Sequence, residues 1–211
     1  ARFLADLADW SRITGTLFVW EHTANYRNYQ TPHPNFHVLA ENMRIYAQYG
    51  VKGVFDEGCP DPGGEFAELR AYVVARCMWD PSVDSLATAH EFIDLYYGKA
   101  APKIKEYLAL LTQKVSADRV FMGSRDDGRW LDYDLVSQLE GLFRQAIEAA
   151  DTPETKTRVE QARLPVQYAA LVCPPRVRFT RTEVSVLRPP SVTLDQYLGL
   201  LRGSGYTQVA P

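Results

Sequence analysis

Two short apolar runs, each followed at once by acidic residues, limit the folds open to this chain. Residues 16–20 read TLFVW and residues 51–55 read VKGVF, with a helical pattern between them. Runs that are apolar on both faces and joined through a helix are typical of parallel strands, which need cover on both sides. Two strands alone cannot form such a sheet. The sequence therefore predicts that further strands come from a longer parent chain or from a partner chain.

Helical periodicity accounts for most of the remaining sequence. The pattern covers residues 2–12, begins again after Asn35, which can cap the helix, and covers about 65–79 before Asp80-Pro81 ends it. A polar loop is predicted over residues 118–132. Further helices are predicted at about 85–97, 101–115, 133–150, 154–172 and 193–202.

Two segments of the second half are less regular. Pro165 lies inside a helical pattern, where it should kink or break the helix because proline lacks an N–H donor. Residues 176–192 are ambiguous and have room for a short extended segment. We predict an α/β chain that is mainly helical overall. Residues 1–81 form the last βα units of a TIM-type (β/α)8 barrel, and residues 82–211 form an all-α helical region.

The composition argues against several classes of function. The net charge is −3 and no basic stripe occurs, which argues against nucleic-acid binding. No stretch approaches the roughly 20 apolar residues of a membrane span. Because His22, His33 and His37 lack metal-ligand spacing and no nucleotide-binding motif occurs, neither a metal nor a cofactor is expected. No signal peptide is visible, but a secreted parent could have lost one because the chain begins at Ala1 without a methionine, and a secreted or periplasmic location is slightly favoured over a cytoplasmic one.

Carboxylates follow both predicted strands. Glu21 comes directly after Trp20, and Asp56 and Glu57 come after Phe55. The carboxyl ends of neighbouring barrel strands meet at one mouth, where active sites are built. Cleavage of a glycosidic bond needs two carboxyl groups, one to protonate the leaving oxygen and one to act as nucleophile or to activate water. The sequence therefore predicts Glu21 and Glu57 as a catalytic pair.

The long loop after the first strand carries aromatic and amide side chains. Flat aromatic faces suit the C–H surfaces of sugars, and amides suit their hydroxyls. The predicted substrate contacts are Trp20, His22, Asn25, Tyr26, Tyr29 and Asp56. Each residue also has a structural alternative, since a strand-end carboxylate is often a salt-bridge partner and an aromatic ring often packs on a barrel rim.

Four segments in this order are similar to landmarks of one known family. They are VWEH at 19–22, GVKGVF at 50–55, ELRAYV at 68–73 and YYGKAAP at 96–102. The chain resembles the bacterial domain of unknown function 4838 family over about residues 8–112. Members are glycoside-hydrolase-like barrel proteins, distantly similar to α-glucuronidases and β-hexosaminidases.

The resemblance implies a barrel whose earlier strands, including the one that bears the general acid, are absent from this chain. The family usually has aspartate at the position of Glu21 and often glutamine at that of Glu57, which favours substrate binding by these two residues over an obligatory catalytic role. The expected partners are a carbohydrate and the remaining barrel strands.

Two hypotheses follow. The first is the C-terminal portion of a glycoside-hydrolase-like carbohydrate-active protein, with strand-end carboxylates lining a sugar site. The second is a non-catalytic carbohydrate-binding or structural interaction module. Carboxyl groups about 5–5.5 Å apart indicate a retaining hydrolase and about 6.5–9.5 Å an inverting one, whereas acids that point away from a common cleft favour the second hypothesis. Whether the chain is an enzyme stays open, and catalysis would require the complete barrel.

Overall fold

The computed structural model describes residues 2–59, 63–189 and 191–206. These residues form α1 (Arg2–Ile13), β1 (Leu17–His22), α2 (Leu39–Gln48), β2 (Val51–Glu57), α3 (Ala67–Trp79), α4 (Ser85–Tyr97), α5 (Ala101–Ala117), α6 (Tyr133–Ala149), α7 (Pro153–Val172), β3 (Arg176–Phe179), β4 (Val184–Leu187) and α8 (Leu194–Gly203). Short 3-10 helices precede α2 and α5. The prediction of a mainly helical α/β chain is confirmed, and no helix in this described part is long and apolar enough to cross a membrane.

The strands β1 and β2 lie parallel and pair along their full lengths. Trp20 lies opposite Phe55, and His22 lies opposite Glu57. Val19 and other residues on one face pack against the helical core. Both strands extend two residues beyond the predicted apolar runs. Glu21, Asp56 and Glu57 therefore lie within the strands and not after them. Because side chains alternate along a strand, the position of each acid decides which face of the sheet it occupies.

The opposite face of this sheet is bare. Phe18 and Trp20 are each 66% exposed, and Phe55 is 61% exposed. The helix α1, which precedes β1, also leaves apolar side chains uncovered, and these are Phe3, Leu4, Trp10 and Ile13. Exposed large apolar side chains that lie together, as Phe18, Trp20 and Phe55 do on the sheet, mark an interaction site. Among the residues that the structure describes, helices thus cover one side of the two-stranded sheet and leave the other exposed.

A single cluster of buried apolar residues extends from Leu7 in α1 to Cys173 after α7. It includes the fully buried rings of Tyr107 and Phe143. A smaller cluster joins α8 to α7 through Leu164 and Tyr197. The main core therefore continues across residue 81, where the sequence suggested a change from barrel units to helices.

The helix α7 continues through Pro165, so the predicted break does not occur. The flanking residues Leu164 and Val166 are buried, one in each cluster. Burying an aliphatic side chain contributes about 1.5–3 kcal/mol. Two such contributions offset the cost of about 3 kcal/mol for proline inside a helix. Tertiary packing therefore maintains a helix that the local sequence disfavours.

Residues 176–187 form an antiparallel hairpin, β3–β4, which corrects the prediction that residues 82–211 are all helical. Val177 pairs with Val186, and Phe179 pairs with Val184, so the four apolar residues share one face. Arginine and serine alternate with them. This period of two favours extended structure over a helix.

Candidate functional site

Four of the predicted site residues meet on the bare face, at the C-terminal end of β1 and β2. Trp20 Nε1 donates a hydrogen bond of 2.7 Å to Glu57 Oε2, and His22 Nε2 lies 3.7 Å from the same oxygen. The Trp20 and His22 rings are parallel, with an interplanar angle of 3° and centroids 6.0 Å apart. Tyr26 packs edge-on against His22 at 4.8 Å. We call Trp20, His22, Tyr26 and Glu57 the outward cluster.

The outward cluster combines a partly exposed carboxylate with exposed aromatic surface. The Glu57 side chain is 31% exposed, which leaves it able to accept hydrogen bonds besides the one from Trp20. The Tyr26 hydroxyl donates to the Gly58 carbonyl at 2.8 Å. Burial raises the pKa of Tyr26, and the neighbouring Glu57 carboxylate raises it further. The phenol therefore stays protonated and remains a donor at neutral pH.

Glu21 and Asp56 lie on the other face of the sheet, towards the helices. They are opposite each other in the strand register. Asn42 Nδ2 of α2 donates to Glu21 Oε1 at 2.7 Å, and Thr23 Oγ1 donates to Asp56 Oδ1 at 2.7 Å. Their other carboxyl oxygens are buried and have no hydrogen-bond partner among the described residues. The structure thus does not bring Glu21 and Glu57 into a common cleft.

Burial raises the pKa of both inward carboxyls. For Glu21, the hydrogen bond from Asn42 opposes this rise, and the charge of Asp56 adds to it. For Asp56, the hydrogen bond from Thr23 and the charge of Arg70 both act in the lowering direction, yet burial prevails. A carboxyl whose pKa is higher in the folded state than in the unfolded chain stabilises the fold below the unfolded pKa. This stabilisation is lost as the pH rises through the folded pKa.

We expect Glu21→Gln to raise the free energy of unfolding at pH 7, because glutamine cannot ionise in the buried site. The gain should shrink as the pH falls towards 4.5, the ordinary pKa of a glutamate, because the wild-type side chain is then itself protonated. Urea unfolding of both proteins at pH 7 and pH 4 measures this difference. A variant that is less stable than wild type at pH 7 would contradict the assignment of Glu21 to a buried site.

The two other predicted contacts, Asn25 and Tyr29, are buried residues of the loop after β1, and their side chains stabilise that loop from within. Asn25 Oδ1 accepts the Arg27 backbone N–H at 2.9 Å, while its Nδ2 donates to the Asp126 carbonyl at 2.9 Å. The Tyr29 ring packs edge-on against Tyr26, with centroids 5.5 Å apart. These residues therefore contact the loop and the outward cluster and do not form part of the exposed surface.

A buried polar network that the sequence did not reveal holds the same loop. The Arg70 guanidinium donates to Glu65 Oε2 at 2.7 Å, to the His33 carbonyl at 3.0 Å and to the Thr23 carbonyl at 3.0 Å. Asn35, predicted as a helix cap, makes no side-chain cap bond. Its amide instead donates to the Thr23 carbonyl, and its side-chain oxygen accepts from Arg70.

His33 is a buried histidine of this network. Burial, together with the charge of Arg70, lowers the pKa of His33 to about 3, so the imidazole is neutral at physiological pH. No group of three or more His, Cys, Asp or Glu side chains in the described ranges is arranged to hold a metal ion. The network is therefore best described as structural support for the loop after β1.

Comparison with known proteins identifies the family. No curated protein and no solved structure is similar enough to this chain to give a significant match. A family model matches residues 1–109, which include α1 to α4, both parallel strands and the whole outward cluster. The resemblance found in the four sequence landmarks is thereby confirmed. The chain belongs to the family described as Domain of unknown function (DUF4838).

Proposed function

We propose that this chain is the C-terminal portion of a glycoside-hydrolase-like, carbohydrate-active protein, and that the outward cluster lines its sugar site. The observation that carries the proposal is the Trp20–Glu57 hydrogen bond of 2.7 Å on an exposed sheet face. The bond fixes an indole plane beside a carboxylate. A sugar ring offers the complementary groups, C–H bonds for the aromatic face and hydroxyl donors for the carboxylate.

The bare sheet face and the free edge of β2 support the proposal that the parent protein has further strands. Beside the free edge of β2 runs a groove of about 380 Å³, lined on one side by α3. Ala67, Ala71 and Ala75 line it at spacings of four residues, so they share one helix face. Small residues there leave room for the side chains of another strand, and the free edge of β2 offers unpaired backbone groups. The occupant that we propose is a strand of the parent barrel, or of a partner chain.

Completion of a barrel would give the outward cluster its functional position. The bare face of β1 and β2 would then line the barrel interior, with the outward cluster at the C-terminal mouth where barrel enzymes bind substrate. The inward pair Glu21 and Asp56 would support the strand ends from the helix side. A second carboxyl group facing Glu57, which hydrolysis requires, would come from the added strands.

The opposite orientation of Glu21 and Glu57 favours binding without hydrolysis in this chain alone. A carbohydrate-binding module is therefore the second candidate, and the observation that favours it is the separation of the two acids onto different faces. Both candidates share the same sugar-binding surface. They differ in whether the complete parent cleaves the bound glycan.

Glycan binding by Glu57→Gln and Glu21→Gln variants tests the proposal. Glutamine keeps an acceptor for Trp20 but removes the charge, and hydrogen bonds to a charged group contribute about 1.5–3 kcal/mol. We therefore expect Glu57→Gln to weaken the binding of a soluble oligosaccharide at least about tenfold in isothermal titration calorimetry. Glu21→Gln should leave the affinity unchanged.

Glu91→Gln, an exposed acid on α4, is the matched control. A loss of affinity in Glu21→Gln with none in Glu57→Gln would place the site on the helix-facing side and overturn our choice of residues. An absence of binding to every glycan, in this chain and in the complete parent, would overturn the proposed function itself.

A further inference from the structure

The loop between α5 and α6, residues 118–132, lies outside the region matched by the family, yet it contacts the segment that carries Tyr26. The Tyr26 backbone N–H donates to the Ser124 carbonyl at 2.6 Å. Next to it, Asn25 Nδ2 donates to the Asp126 carbonyl at 2.9 Å. Two consecutive residues of the loop after β1, which we call the site loop, are therefore hydrogen-bonded to this second loop.

The Asp126 side chain determines the shape of this second loop. Its Oδ2 accepts the Trp130 indole N–H at 2.8 Å and the Gly128 backbone N–H at 3.1 Å. Gly128 has a φ of +71°, and a β-carbon there would lie 3.2 Å from the Thr31 methyl group. Glycine thus permits both the turn and the close approach to the site loop. Trp130 belongs to the main hydrophobic core, which fixes this end of the loop.

The hydrogen bonds continue from the second loop to the site. Asn25 bonds Asp126 through its amide and the Arg27 N–H through its side-chain oxygen, which holds the turn on both sides of Tyr26. The Tyr26 ring then packs against His22 at 4.8 Å. A shift of Tyr26 would therefore change the exposed surface of the outward cluster directly.

We infer that Asp126 is a positioning residue for the outward cluster: through Asn25 and the loop 118–132 it sets the place of Tyr26. The helical second half of the chain thereby helps to shape the site that the matched region carries. The consequence for sugar binding rests on the proposed function. The position of Tyr26 can be measured without any ligand. A failure of the positioning role of Asp126 can therefore be told apart from a failure of the proposed sugar site.

The test compares Asp126→Ala with Asp126→Asn and Asp127→Ala in the full 211-residue chain. Alanine removes the acceptor for Trp130 and Gly128, whereas asparagine keeps one. Asp127 is the matched control, because its carboxylate pairs with Arg129 and not with Trp130. NMR spectra of ring-labelled tyrosine report on Tyr26, which a Tyr26→Phe spectrum assigns.

We expect Asp126→Ala to shift the Tyr26 ring signals and to weaken oligosaccharide binding about threefold to tenfold, as for a lost aromatic contact. Asp126→Asn should stay close to wild type in both measurements, because asparagine keeps one acceptor. Asp127→Ala should show neither the signal shift nor the loss of affinity. If Asp126→Ala does not fold, Trp130→Phe, which removes the indole donor but keeps an aromatic ring in the core, should shift the same signals. Unchanged Tyr26 signals in the folded variants, or equal shifts in Asp127→Ala, would overturn the inference.

Discussion

Arg70→Met is expected to lower the free energy of unfolding by about 3–5 kcal/mol, because it breaks a buried ion pair from one side only. The Arg70 side chain is 4% exposed and that of Glu65 is 2% exposed. Removing the guanidinium leaves a buried carboxylate without its cation. It also removes one of the two donors to each of the carbonyls of Thr23 and His33, which keep their hydrogen bonds from Asn35.

The cost is large because the buried Glu65 carboxylate depends on Arg70 to stay charged. Burial raises the pKa of Glu65, while the charge and hydrogen bonds of Arg70 act to lower it. Without Arg70 only weaker contacts oppose burial, so the carboxyl is expected to take up a proton in the folded state. The loop after β1 should loosen at the same time, because it is bonded to Arg70 at Thr23, His33 and Asn35.

The control for Arg70 is Arg76→Met on the same helix. The Arg76 side chain is 47% exposed and lies 4.0 Å from Glu91, so its loss should change stability by no more than about 0.5 kcal/mol. The double variant Glu65→Gln, Arg70→Met should regain part of the loss, because it no longer buries a lone charge. Equal effects of Arg70→Met and Arg76→Met in urea unfolding would refute the assignment of Arg70 as the central residue of the network.

Phe143→Ala is expected to cost about 3–5 kcal/mol, the usual loss when a buried phenylalanine is truncated. The ring is fully buried in α6 and packs edge-on against Tyr107, with centroids 5.1 Å apart. Tyr107 in turn packs against Phe66, which directly precedes α3, at 5.5 Å. A cavity in the helical half should therefore also destabilise the half that carries the two parallel strands.

Leu95→Ala is the control, since Leu95 is 80% exposed and its truncation should change stability by no more than about 0.5 kcal/mol. Unfolding followed by circular dichroism and by tryptophan fluorescence should give one shared transition in Phe143→Ala, at lower urea than in wild type. Two separate transitions, with the strand half unchanged, would mean that the continuous core does not couple the two halves.

The helices were predictable because their ends carry local signals. The helix α4 follows Asp84, whose side chain accepts hydrogen bonds from two backbone N–H groups, and it ends at Gly98. Gly50, which follows α2 closely, has a φ of +72°, a conformation that glycine adopts readily at the end of a helix. The loop 118–132 was equally clear from its polar composition. Such signals depend on neighbours in sequence, so a single sequence is sufficient to identify them.

The members of the outward cluster could be named from the sequence as candidates, but their arrangement could not be predicted. The apolar runs end at Trp20 and Phe55, whereas the strands continue to His22 and Glu57. Side chains alternate along a strand, so this extension places neighbouring acids on opposite faces. The pairing of Glu21 with Asp56 depends on the strand register, which is set by tertiary packing and cannot be derived from either segment alone.

The buried network around Arg70 could not be predicted either, because its members are distant in the sequence. Arg70 occupies one position in an otherwise ordinary amphipathic helix, next to Leu69 and before Val73. Its partners Thr23, His33 and Asn35 lie at least 35 positions away in the sequence. A charged residue in a helix normally faces solvent, so only the fold indicates that this one is buried.

The most direct test of the proposed sugar site is an NMR titration that follows the tryptophan indole N–H signals while soluble oligosaccharides are added. Trp20 donates to Glu57 on the bare face, whereas Trp130 is bonded to Asp126 in the core and Trp79 lies exposed at the end of α3. We predict a saturable shift of the Trp20 signal that needs at least about tenfold more oligosaccharide in Glu57→Gln, with Trp79 and Trp130 unchanged. A Trp20 signal that does not move with any glycan, or that moves no more than Trp79, would contradict a sugar site at the outward cluster.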